Sequence, residues 1–264
     1  EQRMALIRLI STDFDGTLVG FEPDQKRPDA FLAWLEALGE QRPVWMINTG
    51  RWIDSILERL TALKIPRALW PTWVASGERE LYRLDGESFM PVHPWNAECD
   101  AAHARLTEQV HSAFAFIRGW ISVNTKAVCL YERASFAGLR AASTQEADRI
   151  TAFLVGLFEQ YPDLAVQRND VYFRFCHRNY HKGACLAEVQ RLIGATPPQT
   201  FACGDHYNDL PMLRADLASM LGCPLNAIPE VRAAVAGAGG HVASTQFTDG
   251  LVEALRIFSA NPQT

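Results

Sequence analysis

The sequence predicts an α/β protein, a parallel sheet flanked by helices and interrupted by an antiparallel α+β insertion. Short apolar runs alternate with helix-period segments at both ends of the chain, the pattern of βα units. Over residues 80–177 the strands become shorter and more alternating, as antiparallel strands do. The chain has 264 residues, 48% hydrophobic and 21% charged, enough for one large domain or two smaller ones and unlike a disordered composition.

The first strand is expected over 6–12, built on the apolar run Leu6-Ile7-Arg8-Leu9-Ile10, and a helix over 28–38 with Ala30, Phe31, Trp34 and Leu38 on one face. A second strand follows over 43–48, a helix over 53–63, and an aromatic strand over 69–75. In the insertion, strands are expected over 127–131, 164–167 and 171–175, with helices over 97–113 and 144–159. The βα rhythm then resumes: helix 183–192, strand 200–203, helix 208–215, strand 217–221, helix 229–236 and a closing helix over 249–258. The predicted division is a discontinuous core, 1–79 and 178–264, with an inserted domain, 80–177.

A net charge of −5 disfavours non-specific binding to nucleic acid or an anionic membrane, so neither is expected as a partner. It does not exclude an anionic small molecule, because a local cluster of cations overrides the global sign. The six cysteines are scattered without metal or redox spacing, and read as reduced, mostly buried thiols. No apolar stretch approaches a membrane span, and Glu1-Gln2-Arg3-Met4 lacks the apolar region of a signal peptide, so the cytoplasm is the expected location. A monomer or small homo-oligomer fits this composition equally.

Chemistry concentrates in four turns, each at the end of a predicted core strand or the start of a core helix, where open parallel sheets place their active sites. The first is Asp13-Phe14-Asp15-Gly16-Thr17-Leu18: two carboxylates at a strand end repel and require a cation or donors. The second, Asn48-Thr49-Gly50-Arg51, offers a hydroxyl and backbone N–H groups suited to phosphate oxygens. The third, Lys182-Gly183, opens a helix with a cation. The fourth, Gly204-Asp205-His206-Tyr207-Asn208-Asp209, brings two further carboxylates on a Gly turn, with Asp205 or Asn208 as a candidate cap. Thr-Gly-Arg alone is a common turn, and a lone helix-start lysine is ordinarily solvated. The information lies in the four together, in this order. Cys176-His177 with His181 fits no established metal spacing, and Gly237-Ala238-Gly239-Gly240 reads as a loop.

These turns resemble the motifs of haloacid dehalogenase superfamily phosphatases: Asp-x-Asp-x-Thr, Thr/Ser, Lys, and Gly-Asp-x-x-x-Asp. Asn226-Ala227 and Thr248-Asp249-Gly250-Leu251 extend the resemblance to the tail. An insertion after the third strand resembles the type IIB (C2B) cap of the sucrose-phosphatase-like and Cof-like branch. Ser76-Gly77-Glu78, where Cof-like members carry Asn-Gly-Ala, leans toward the sucrose-phosphatase-like side. The resemblance implies a Rossmann-like catalytic core, a cap domain, and a Mg²⁺-dependent phosphatase acting on a small phosphorylated metabolite, a sugar or glycoside phosphate such as sucrose phosphate. A phosphosugar mutase on the same scaffold and a non-catalytic sensor are the alternatives.

The resemblance also implies roles. Asp13 would attack phosphorus to give an aspartyl-phosphate, and Asp15 would act as general acid/base. Thr49 and Lys182 would hold phosphoryl oxygens, with Gly50 and Arg51 as further substrate contacts, and Asn208 would donate to the phosphate or to Asp13. Mg²⁺ would be held by the acidic set Asp13, Asp15, Asp205 and Asp209, Asp15 through its carbonyl, with Asp209 orienting water or Lys182. Thr17 would hold Asp15 or the local backbone.

Overall fold

The computed structural model describes residues 7–132 and 135–259. Glu1-Gln2-Arg3-Met4 and Leu6, the start of the expected first strand, lie outside the described residues. The chain divides into two compact units: the first runs to His93 and resumes at Lys182, and the second is Pro94–His181.

The first unit begins β1 (Leu9–Thr12), α1 (Asp29–Leu38), β2 (Val44–Asn48), α2 (Ile53–Ala62), β3 (Trp73–Ser76), and continues into a hairpin, β4 (Glu80–Asp85) and β5 (Ser88–Pro91). The second unit contains α3 (Trp95–Gln109), α4 (His111–Asn124), β6 (Val128–Glu132), β7 (Ser135–Arg140), α5 (Thr144–Phe158), β8 (Leu164–Asn169) and β9 (Tyr172–His177). The first unit closes with α6 (Lys182–Ile193), β10 (Thr200–Cys203), β11 (Met220–Cys223), α7 (Pro229–Gly237), β12 (His241–Val242) and α8 (Phe247–Ser259).

Its sheet has the order β12-β11-β10-β1-β2-β3-β4-β5, parallel from β12 through β3 and antiparallel from β3 onward. Every residue of β1, β3, β10 and β11 is buried, as expected for parallel strands covered on both faces. Phe31 and Leu35 of α1, Trp45 and Ile47 of β2, Phe201 of β10, and Leu251 and Leu255 of α8 share one apolar core. The Phe31 ring meets Trp45 edge-on at 4.9 Å between centroids. In the second unit an antiparallel sheet, β6-β7-β9-β8, packs Phe136, Leu139, Phe173 and Phe175 against Phe114 and Ile117 of α4 and Ile150 and Leu154 of α5.

Several details differ from the sequence expectation. Residues 80–93, expected in the insertion, belong to the first unit, because the β4–β5 hairpin pairs directly onto β3, and residues 178–181, expected in the core, belong to the second. The helix expected over 97–113 is two helices that meet at Val110. The helix expected over 208–215 is a single 3-10 turn, Tyr207–Asp209; Pro211 has no N–H to continue it. The strand expected over 217–221 lies at Met220–Cys223.

Phe31 is fully buried at the α1–β2 contact, so Phe31→Ala should lower the unfolding free energy by about 3–5 kcal/mol through lost transfer energy and a residual cavity. Denaturant titration checks this. A loss below about 1 kcal/mol would mean that the core rearranges to fill the space.

Candidate active site

The parallel register aligns the ends of three strands, with Thr12 of β1 opposite Ile47 of β2 and Cys203 of β10. The turns that follow therefore lie side by side. Asp13 N–H donates to the Cys203 carbonyl (3.0 Å), and Thr49 N–H to that of Ala75 (2.9 Å). Gly16 has φ 86°, and a Cβ there would stand 2.4 Å from Asp205 Oδ2; at Gly204 it would stand 2.4 Å from Asp209 Cγ. Only glycine lets these turns approach the carboxylates so closely.

Lys182 gathers the site. Its side chain is fully buried at the start of α6, and Nζ donates to Asp13 Oδ1 (2.7 Å) and Asp209 Oδ1 (2.6 Å). Asn48 Nδ2 donates to the Lys182 carbonyl (2.9 Å), which ties α6 to the turn after β2. Asp209 is committed at both ends, since its Oδ2 accepts N–H bonds from Asp205 (2.8 Å) and His206 (2.9 Å). His206, rather than Asp205 or Asn208, caps the 3-10 turn, its Nδ1 accepting from Tyr207 N–H (2.9 Å). Thr17 donates to Asp205 Oδ1 (2.8 Å) and not to Asp15 or the local backbone.

Carboxylate oxygens of Asp13, Asp205 and Asp209 lie within 4.8 Å of one another, all buried. Burial pushes Asp13 well above the usual carboxylate range, and nearby Asp209 and Asp205 add to the shift against the pull of Lys182. Burial and Asp209 raise Asp205 to about 7. Burial alone would depress Lys182, but the charges of Asp13, Asp209 and Glu78 hold it above its ordinary value. One ammonium thus faces an excess of buried carboxylates. An all-oxygen set short of positive charge fits a hard divalent cation, and since both oxygens of Asp209 are committed, Asp13 and Asp205 are the better placed carboxylates to bind one.

Asp15 is placed differently. Its carboxylate is outside that acidic group and sits in the fork of Arg51, with Nε to Oδ2 at 2.6 Å and Nη2 to Oδ1 at 2.8 Å, while Gln25 also donates to it. Arg51 is therefore turned onto Asp15, and its Nη2 also reaches Glu22 (3.0 Å). The hydrogen bond to Asp15 first, and then its charge, raise Arg51 further above its ordinary value. Thr49 is buried in its turn, with Oγ1 accepting the Arg51 N–H across Gly50 (3.1 Å). Asn208 is buried and donates to Glu78 Oε1 (2.7 Å), not to Asp13.

Two residues of this network carry no site motif in the sequence. Glu78 is buried in the turn after β3. Asn226 joins the first turn to α8, with Nδ2 donating to the Gly16 carbonyl (2.7 Å) and Oδ1 accepting from Phe247 N–H (2.9 Å). The replacement of Asn-Gly-Ala by Ser76-Gly77-Glu78 was the signal for Glu78, since an acidic residue in a buried turn needs a reason. All six cysteines are free, five of them buried.

Carboxylates gathered by a buried lysine at the carboxyl ends of a parallel sheet, in this fold, define a phosphatase of the haloacid dehalogenase superfamily, a phosphoric monoester hydrolase. The sequence model of sucrose-6F-phosphate phosphohydrolases matches residues 6–259, and the chain belongs to that family. Among solved structures it is similar to the sucrose-phosphatase of Synechocystis sp. PCC6803 in complex with sucrose and phosphate, at 18% identity and TM-score 0.69 over 96% of this chain and 98% of that one. A haloalkanoate-superfamily phosphatase of Bacteroides thetaiotaomicron gives 18% and 0.66 over 99% and 98%. A haloacid dehalogenase-like hydrolase of Bacillus subtilis gives 17% and 0.60 over 97% and 91%. At these identities the likeness establishes the fold. Comparison with curated proteins gives no match. No helix among the described residues is long and apolar enough to cross a membrane.

The raised Asp13 and Asp205 values carry a sign. Asp205 keeps its proton in the folded state between 3.8 and about 7, where the unfolded chain has released it, and the raised Asp13 acts in the same direction, so both lower the stability of the metal-free protein as pH rises above 3.8. A divalent cation competes with those protons. Excess Mg²⁺, used as the probe cation, should therefore raise the thermal midpoint more at about pH 7.5 than at about pH 5. An increment that is the same at both pH values, measured against chelator, would contradict this account of the carboxylates.

Proposed function

We propose that this chain is a Mg²⁺-dependent phosphatase that hydrolyses a sugar or glycoside phosphate of the sucrose-phosphate type through an aspartyl-phosphate on Asp13. The observation that carries the mechanism is the Lys182 bridge, which joins Asp13 to Asp209 in one buried acidic cluster with Asp205. Family membership supports the substrate class.

In this mechanism Asp13 attacks phosphorus in line with the leaving oxygen, and Lys182 and the Thr49 turn hold the phosphoryl oxygens. Asp15 gives a proton to the leaving alkoxide and then takes one from the attacking water. The Arg51 fork positions Asp15 for that exchange, so Arg51 acts through Asp15 rather than on the substrate. Mg²⁺, bound by Asp13, Asp205 and the Asp15 carbonyl, would supply fixed positive charge for the phosphoryl oxygens. Asp209 holds Lys182 and the backbone of its own turn in place. Catalysis belongs to the first unit, and the second, as the inserted cap, governs which leaving group is accepted.

Phosphate release from a panel of sugar, glycoside and polyol phosphates tests this. Sucrose phosphate should be among the best substrates and should require Mg²⁺. Asp13→Asn should abolish turnover, and Asp15→Asn should lower kcat by roughly 10²–10⁴-fold. Full activity in a verified Asp13→Asn protein would sink the mechanism. An isomeric sugar phosphate in place of free phosphate would make the enzyme a mutase.

A further inference from the structure

Glu78 is a costly residue in its position. It lies in the turn between β3 and β4 with φ 65°, in the left-handed region that favours glycine, and it is only 4% exposed. Its backbone N–H donates to the Thr49 carbonyl (2.9 Å), and its carbonyl accepts from the Cys185 thiol of α6 (3.6 Å). Its Oε1 accepts from Asn208 Nδ2 (2.7 Å). One residue thus joins the turns after β2 and β10 and the helix that carries Lys182. Yet Glu78 Oε2 and Asn208 Oδ1 are both buried with no hydrogen-bond partner among the described residues. A residue needed only for packing would leave no such atoms, because burying a carboxylate with an unmet oxygen is unfavourable.

What the charge does follows from hydrogen-bond chemistry. A carboxylate only accepts, so Asn208 must turn its NH₂ toward Glu78; the reversed amide would press Oδ1 against Oε1 at the same 2.7 Å. The direction of the second Asn208 N–H is then fixed. A neutral amide at position 78 would accept or donate and would leave both orientations open.

We propose that Glu78 is a positioning residue for phosphoryl transfer, acting by locking the Asn208 side-chain amide in one orientation. It rests on the reading of this chain as a phosphatase in which Asn208 donates to the phosphoryl group.

The test uses the full chain with Glu78→Gln, Asn208→Ala, the double variant, and Asp13→Asn as reference. Glu78→Gln should lower kcat about 10-fold with little change in KM, and the thermal midpoint should stay within about 2 °C of the parent or rise. The double variant should be no slower than Asn208→Ala, because both changes remove one function. Should the glutamine protein fail to fold, Glu78→Gly, which suits the backbone, should show the same kcat loss. With Asp13→Asn inactive, parental kcat in Glu78→Gln overturns the proposal and leaves the mechanism standing. Losses that multiply in the double variant overturn it too, as does a kcat loss that disappears once rates are corrected for the fraction folded. An active Asp13→Asn removes the mechanism, and the proposal falls with it.

Discussion

Lys182 is buried to zero exposure with its ammonium between two carboxylates, and much of the first unit is arranged to make that tolerable. A buried ion pair is a poor way to stabilise a fold, since desolvation offsets most of the attraction. Here the opposing charges come from three separate turns, and the pair is stable only if β1, β10 and α6 are all in register. Asn48 fixes the backbone at the head of α6, and Asp209 fixes its own turn through two N–H bonds. Removing Lys182 would leave Asp13, Asp205 and Asp209 facing one another without a cation.

The same constraint explains why the site is stiff. Gly16 and Gly204 bring backbone within the space a methyl group would need, and Thr17 and Asn226 pin the first turn to Asp205 and to the start of α8. Groups held this way need little reorganisation when charge shifts on a phosphoryl group, which is the economical route to electrostatic catalysis. Asp15 is the contrast. It is partly exposed, held by the long side chains of Arg51 and Gln25, as suits the proposed general acid/base.

Much of this was legible in the sequence, and the reasons are specific. Asp13, Lys182, Asp205 and Asp209 stand on strand-end turns where a carboxylate or an ammonium has no bland explanation, so their types and order pointed to the chemistry. The apolar runs of β1, β2 and β10 carried the parallel core. What could not be read was pairing between distant turns. The sequence places Thr17 with its neighbours, because nothing local shows that Asp205 stands beside it. Arg51 looked like a substrate contact, yet its partner is Asp15, 36 positions away in the chain. The β4–β5 hairpin alternates like the insertion that follows it, and only its pairing to β3 assigns it to the first sheet. Glu78 was a departure from a family pattern until its contact with Asn208 gave it a use.

The central claim is that Asp13 carries the phosphoryl group during turnover. Rapid quenching of the enzyme with substrate and Mg²⁺, borohydride reduction and peptide mass spectrometry tests it directly, because an aspartyl-phosphate is reduced to homoserine. Homoserine is expected at position 13 and at no other aspartate. Phosphate released in the first turnover with Asp13 unreduced, or reduction at Asp15, Asp205 or Asp209 instead, would contradict it.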